Sequence, residues 1–153
     1  VGTIVKRLFE IVQPNKAYFG EKDFQQLQIV KKLVSKYNIP VDVIGCPIHR
    51  EANGLAMSSR NERLSESARE KAAVIYQILN SAKENFNTNS AEQTIKFVEN
   101  EFKKHPEFEL EYFEIADEAT LLPVSEKEFD KKYRGFIAIF IENIRLIDNI
   151  SLN

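Results

Sequence analysis

Lys16-Ala17-Tyr18-Phe19-Gly20-Glu21-Lys22-Asp23 passes from a short apolar run into a charged segment, and its reading decides the fold. Lys16 to Phe19 predicts a strand ending at Gly20. From Lys22 to about Tyr37, the residues Leu27, Val30, Val34 and Tyr37 recur at the spacing of one helical face. Pro40 then precedes a second strand, Val41 to Gly45, in which Val41, Val43 and Ile44 are apolar. Strand, helix and strand with short connections make a βαβ unit, which predicts parallel strands and a right-handed crossover. Ahead of it, Val5, Leu8, Phe9 and Val12 mark one face of a helix over residues 2–12, stopped by Pro14.

The texture changes beyond residue 60. Ser65 and Ser67 are both helix-capping residues, and Glu70, three residues after Ser67, completes a capping box. The helix that follows has an apolar face of Ile75, Ile78, Leu79 and Ala82. A polar stretch from Asn85 to Asn89 precedes a second capping box, Ser90 with Gln93. That box opens a helix with Ile95, Val98 and Phe102 on one side, ended by His105-Pro106. Residues 108–117, 134–141 and 143–149 are strand-like: Leu110 and Tyr112 alternate with glutamates, Phe136 to Ile141 reads as a buried strand, and Ile144 and Leu146 alternate with polar residues. Glu142-Asn143 predicts a tight turn between the last two. The expected organisation is α/β over residues 1–63, as the second half of a Rossmann-like nucleotide-binding domain, then a small α+β domain with a short antiparallel sheet over residues 64–153, expected to serve as a lid over the nucleotide site.

Composition narrows the function. The 153 residues carry 21 Lys plus Arg against 23 Asp plus Glu, a net charge of −2 that argues against a nucleic-acid-binding stripe. Hydrophobic content of 43% and charged content of 29% are those of a globular protein. The longest apolar run, Phe136 to Ile141, is far too short to span a bilayer, so no membrane partner is expected. No charged-then-apolar leader opens the chain, and a lone Cys46 cannot form an internal disulfide; a reducing cytoplasm is the expected setting. Beside Pro47, Cys46 reads as a small buried residue rather than a nucleophile. His49 and His105 are far apart and no Cys/His cluster has metal-ligand spacing, so no metal held by side chains is expected.

Two segments carry chemistry. Gly20-Glu21-Lys22-Asp23 stands where ligands bind in open α/β sheets, at the carboxyl end of a strand. Gly20 admits close backbone approach, Lys22 can reach a phosphate, and Asp23 can accept from ribose hydroxyls. The same residues also read as an ordinary solvated helix start, where acidic side chains are common. Met57-Ser58-Ser59-Arg60, after Gly54, supplies hydroxyl and amide donors closed by an arginine that can bind two phosphate oxygens. A plain polar loop is the alternative there. Together the two loops point to a nucleotide.

Gly20-Glu21-Lys22-Asp23-Phe24-Gln25-Gln26, followed by Arg50-Glu51-Ala52-Asn53-Gly54-Leu55-Ala56-Met57-Ser58-Ser59-Arg60-Asn61, resembles the pantothenate synthetase (pantoate–β-alanine ligase) family. The resemblance covers essentially the whole chain. It implies a ligase of pantothenate and coenzyme A biosynthesis: pantoate's carboxylate attacks the α-phosphate of ATP, and the amine of β-alanine displaces AMP from the pantoyl adenylate. It further implies Lys22, Ser58, Ser59 and Arg60 as catalytic residues and Gln26 as a pantoate contact. Gly20, Glu21, Lys22, Asp23, His49, Met57, Ser58, Ser59 and Arg60 are implied to bind ATP, with Mg²⁺ held through the phosphates and a homodimeric state.

Two departures qualify the match. The family's His-x-Gly-His segment is not in these residues, so the chain reads as the C-terminal portion of a longer enzyme, inactive alone. His49 stands where the family has an apolar residue such as Val, whose backbone touches adenine; a backbone contact tolerates that change. Two other functions stay open on the residues: a non-catalytic fragment that only binds nucleotide or dimerises, and a nucleotidyl-transfer enzyme acting on another acid.

Overall fold

The computed structural model describes residues 1–124 and 126–153. It divides into two compact units, Val1–Ile48 and His49–Asn153. The division comes ahead of the 63/64 boundary expected above. Its physical cause lies in the second unit, where Leu55 and Leu64 belong to the core and Arg50 pairs with Asp148.

In the first unit, α1 (Gly2–Val12) leads to β1 (Lys16–Gly20), a 3₁₀ turn (Glu21–Asp23), α2 (Phe24–Tyr37) and β2 (Asp42–Cys46). β1 and β2 pair in parallel, from Lys16 opposite Asp42 to Gly20 opposite Cys46. The expected strand–helix–strand order is present, with the α-helix opening at Phe24 rather than Lys22. Both helices end on a residue in the left-handed region, Gln13 and Asn38, whose backbone N–H groups close the last turn. The core is small: Phe9, Val30 and Val41, with Val5, Ala17, Phe19, Val34, Ile39 and Val43 against it.

Two expected apolar faces are corrected here. On α1, Leu8 and Val12 are exposed, as are Ile4 and Ile11, because α1 turns its Val5–Phe9 side to the core. On α2, Leu27 and Val30 are buried, but Tyr37 is 51% exposed at the helix end, with the Lys6 ammonium 4.9 Å from its ring centre. Helical periodicity located both helices without deciding which side of α1 would be covered.

The second unit holds a 3₁₀ turn (Ser59–Arg63), α3 (Glu66–Lys71), α4 (Ala73–Thr88), α5 (Ala91–Phe102) and three strands, β3 (Phe108–Asp117), β4 (Tyr133–Ile141) and β5 (Ile144–Ser151). The strands form one antiparallel sheet with β4 in the middle. Glu142 and Asn143, at φ 50° and 61°, make the β4–β5 turn; positive φ at both central positions matches the right-handed twist of the flanking strands. Ile75, Leu79, Ala82, Val98 and Phe102 from the helices pack with Phe113, Ile115, Ile137, Ile139 and Leu146 from the sheet. The Ser90–Gln93 capping box is formed in both directions.

Two local expectations change. Ser65, not Ser67, caps α3: its Oγ accepts from the Ala68 N–H at 3.1 Å, while Ser67 is already helical. Ser65 is held there by Glu142, which accepts from its N–H and hydroxyl at 3.0 and 2.6 Å. The second change is in β3, where the pairing register shifts between Leu110 and Tyr112. That bulge turns Tyr112 outward and brings Phe113 and Ile115 into the core, so the alternation of Leu110 with Tyr112 does not continue inward.

Candidate functional site

β1 ends at Gly20 and the chain turns at once into a helix start, which puts Gly20–Asp23 at the carboxyl end of a parallel strand. Gly20 has ordinary extended angles, φ −68° and ψ 133°, and a Cβ built on it would meet nothing within 4 Å. Neither backbone strain nor packing calls for glycine at this position. Lys22 and Glu21 are half-buried, and Asp23 is exposed. Glu21 folds back over β2, where its Oε1 would lie 3.2 Å from a Cβ at Gly45. Gln26 is exposed in the first turn of α2. N–H groups at such a helix start have no intrahelical acceptor and favour an anion.

The second group of candidates belongs to the second unit. The Met57 N–H donates to the His49 carbonyl at 2.9 Å, so these two sit side by side across a narrow turn, and His49 is exposed. Arg50 and Ala56 form an isolated antiparallel bridge inside that pair, and the Glu51 N–H donates to the Leu55 carbonyl at 2.8 Å. Ser58 has extended angles and its Oγ accepts from the Arg60 N–H at 3.3 Å, which makes it the N-cap of the Ser59–Arg63 turn. Ser59 and Arg60 are exposed, and Met57 is 47% exposed. Among the described residues no ion pair involves Arg60.

Several residues around this loop escaped the sequence reading. Asn61 is only 2% exposed, and its Nδ2 donates to Glu51 Oε1 at 2.9 Å and to the Ala56 carbonyl at 3.1 Å. Those two acceptors fix which end of the amide is nitrogen. Glu51 also accepts from Arg69 Nε of α3 at 2.8 Å. The Arg69 hydrogen bond holds the Glu51 carboxyl below its usual range, against the opposing effect of burial and with help from Asn61. Arg63 lies three residues after Arg60; in a 3₁₀ turn such positions eclipse, which adds a second exposed guanidinium to the same side. The i, i+3 spacing was the available signal for Arg63. None announced the Glu51–Asn61–Arg69 chain, because it joins three separate elements.

The candidates thus fall into one set on the first unit (Gly20, Glu21, Lys22, Asp23, Gln26) and one on the second (His49, Met57, Ser58, Ser59, Arg60). Within each set the structure makes neighbours of the residues expected to act together. Among the described residues, no three His, Cys, Asp or Glu side chains gather where they could hold a metal ion. Nor is any helix there long and apolar enough to cross a membrane.

Comparison with known proteins agrees across sequence and structure. The family model described as pantoate-beta-alanine ligase matches residues 1–151. A pantothenate synthetase of Christiangramia forsetii is 59% identical over 153 residues, all of this chain and 54% of that protein. A pantothenate synthetase structure from Thermus thermophilus superposes with TM-score 0.88 at 41% identity, covering 99% of this chain and 54% of the other. The Francisella tularensis pantoate-beta-alanine ligase, solved as a complex with beta-gamma ATP and beta-alanine, gives TM-score 0.69 at 32% identity, over 99% and 49%. This chain therefore spans about half the length of the curated relatives it matches.

Proposed function

The chain belongs to the pantoate-beta-alanine ligase family, and from that membership we propose that it supplies part of the site for ATP-dependent condensation of pantoate with β-alanine. The observation that carries the reading is the position of Gly20–Asp23, where a parallel strand gives way to a helix start. In the proposed reaction the carboxylate oxygen of pantoate bonds to the α-phosphorus of ATP and pyrophosphate leaves. The amine of β-alanine then attacks the acyl carbon, AMP departs with the C–O bonding pair, and the amine loses a proton as the amide forms. No enzyme nucleophile is needed. The protein's work is to align two reactants and to neutralise charge as it moves onto the leaving group.

Lys22 and Arg60 carry the full positive charges for that purpose, with N–H and hydroxyl donors from Ser58 and Ser59. His49 and Met57 are assigned to the nucleotide side, as are Gly20, Glu21 and Asp23. Mg²⁺ would be bound through phosphate oxygens rather than by a protein cage, and would supply further charge neutralisation there. Residues 64–153 would act as a lid that keeps water from the acyl adenylate, and because the second unit also carries Ser58–Arg60 on a supported loop, the proposed lid extends to His49–Asn153. Cytoplasmic location, which rests on the lone Cys46, and a homodimeric state, which rests on the family alone, complete the proposal.

Residues 1–153 by themselves are expected to be inactive. Their parallel sheet has two strands, and Ile4, Leu8, Ile11 and Val12 of α1 form an exposed apolar stripe. A pair of strands alone is marginally stable. Kinetic tests accordingly use an enzyme of the relatives' full length that contains residues 1–153.

Two substitutions test the division of labour in the first unit. Gln26→Ala should raise KM for pantoate by roughly tenfold or more while barely changing KM for ATP, since a side-chain hydrogen bond to substrate contributes about 1–3 kcal/mol. Steady-state titration of each substrate decides it, and a defect confined to ATP would reassign Gln26 to the nucleotide. Gly20→Ala makes the complementary test. Alanine suits the backbone angles there, so the melting temperature should hold or rise slightly. KM for ATP should nonetheless increase, because the added methyl occupies space kept for a ligand. If ATP binding is untouched, the strand end does not contact the nucleotide.

A further inference from the structure

Arg50 heads the same loop as Arg60 and carries the same charge, yet its surroundings are opposite. Its Nη1 donates to Asp148 Oδ2 at 2.6 Å and its Nη2 to Oδ1 at 3.1 Å, a two-point pair with side chains only 17% and 4% exposed. Nη1 donates again, to the Gly54 carbonyl at 3.0 Å. The guanidinium carbon stands 3.7 Å from the ring centre of Tyr76. One side chain therefore joins β5 through Asp148, α4 through Tyr76 and the 51–55 turn through Gly54. Its hydrogen-bonding capacity is largely used within the protein.

The turn it grips sets the course of the loop beyond. Gly54 has φ +94° and lies so close to Tyr76 that a Cβ there would come within 2.7 Å of Cδ1. The bridge between Arg50 and Ala56, together with the bond from the Met57 N–H to the His49 carbonyl, makes the position of Met57 follow from that of Arg50. Ser58, Ser59 and Arg60 come next. At the other end Asn61 is anchored to Glu51 and to the Ala56 carbonyl.

We infer that Arg50 is a positioning residue for nucleotide binding: clamped to Asp148, Gly54 and Tyr76, it fixes the backbone from which Met57–Arg60 present their donors. It acts through the loop, not on substrate. This inference rests on reading Met57–Arg60 as ATP contacts. A two-point, ring-stacked clamp suits the planar guanidinium and not an ammonium, so Arg50→Lys keeps the charge and loses the geometry.

In an enzyme of the relatives' full length containing residues 1–153, Arg50→Lys should lower kcat/KM for ATP by about 10- to 100-fold, as misplacement of catalytic groups by an ångström does. The measurement is pyrophosphate release, made well below the melting temperature with circular dichroism confirming the fold. A merely structural role would lower the melting temperature and leave kcat/KM per folded enzyme within about twofold of the parent, on the scale of ordinary surface changes; that result overturns the inference. Should Arg50→Lys not fold, Asp148→Asn, which preserves shape and weakens the clamp, carries the same readouts. Arg60→Ala separates the two readings. If it abolishes turnover while Arg50→Lys is normal, only the positioning role fails; if Arg60→Ala is itself normal, the ATP reading fails and takes the inference with it.

Discussion

Alanine at Lys22 or at Arg60 should lower kcat by on the order of 10²-fold or more, the usual consequence of removing a charge partner of the transition state. Negative charge grows on the departing pyrophosphate as the acyl-phosphate bond forms, so a cation placed there acts more strongly on the transition state than on bound ATP. The step to follow is adenylate formation through pyrophosphate release, in an enzyme of the relatives' full length containing residues 1–153. The two variants should differ in stability. Arg60 is exposed, with no ion pair among the described residues, so Arg60→Ala should unfold within about 0.5 kcal/mol of the parent. Lys22 is half-buried in the 3₁₀ turn and has an interaction partner, so its loss should also disturb the turn. Near-normal rates in both variants would remove the two loops from the chemistry.

Gly54→Ala should destabilise the second unit by roughly 2–4 kcal/mol, combining the penalty for a side chain at positive φ with that for overpacking. The two causes have the same sign. At φ +94° alanine is strained even in open space, and its methyl would press on Tyr76 at 2.7 Å. Tyr76 also faces Arg50, so relief by moving the ring would loosen the clamp on Asp148. Thermal or urea unfolding reads the loss. In a Tyr76→Ala background, Gly54→Ala should cost only the part due to backbone, because the contact is already gone. A Gly54→Ala protein as stable as its parent would show that the turn has another conformation of equal energy.

The local code carried most of the secondary structure. Capping residues, prolines and helical periodicity located α1, α2 and α5 to within a few residues, and the Glu142-Asn143 turn followed from its place between two strand-like runs. The one helix expected after Ser65 or Ser67 is instead two, α3 and α4, and α4 continues through the polar Asn85 stretch to Thr88. The family, too, was legible, because Gly20–Gln26 and Arg50–Asn61 are contiguous strings. Such signals act over a few residues, which is why a sequence expresses them directly.

What the tertiary structure decided has longer range. Periodicity made α1 amphipathic, but only packing showed that Phe9 is covered while Leu8 and Val12 are not. Ser67 looked as good a cap as Ser65 until Glu142, far along the chain, took Ser65's N–H and hydroxyl. The bulge in β3 depends on the register of β4 beside it. Most of all, nothing in the string Arg50-Glu51-Ala52-Asn53-Gly54 distinguishes an arginine for ligand from one for support. That difference is made by Asp148 and Tyr76, whose carboxylate and ring reach Arg50 only once β5 and α4 have folded together. A charged side chain's role depends on which desolvated partners meet it, and in this chain those partners are brought by folding alone.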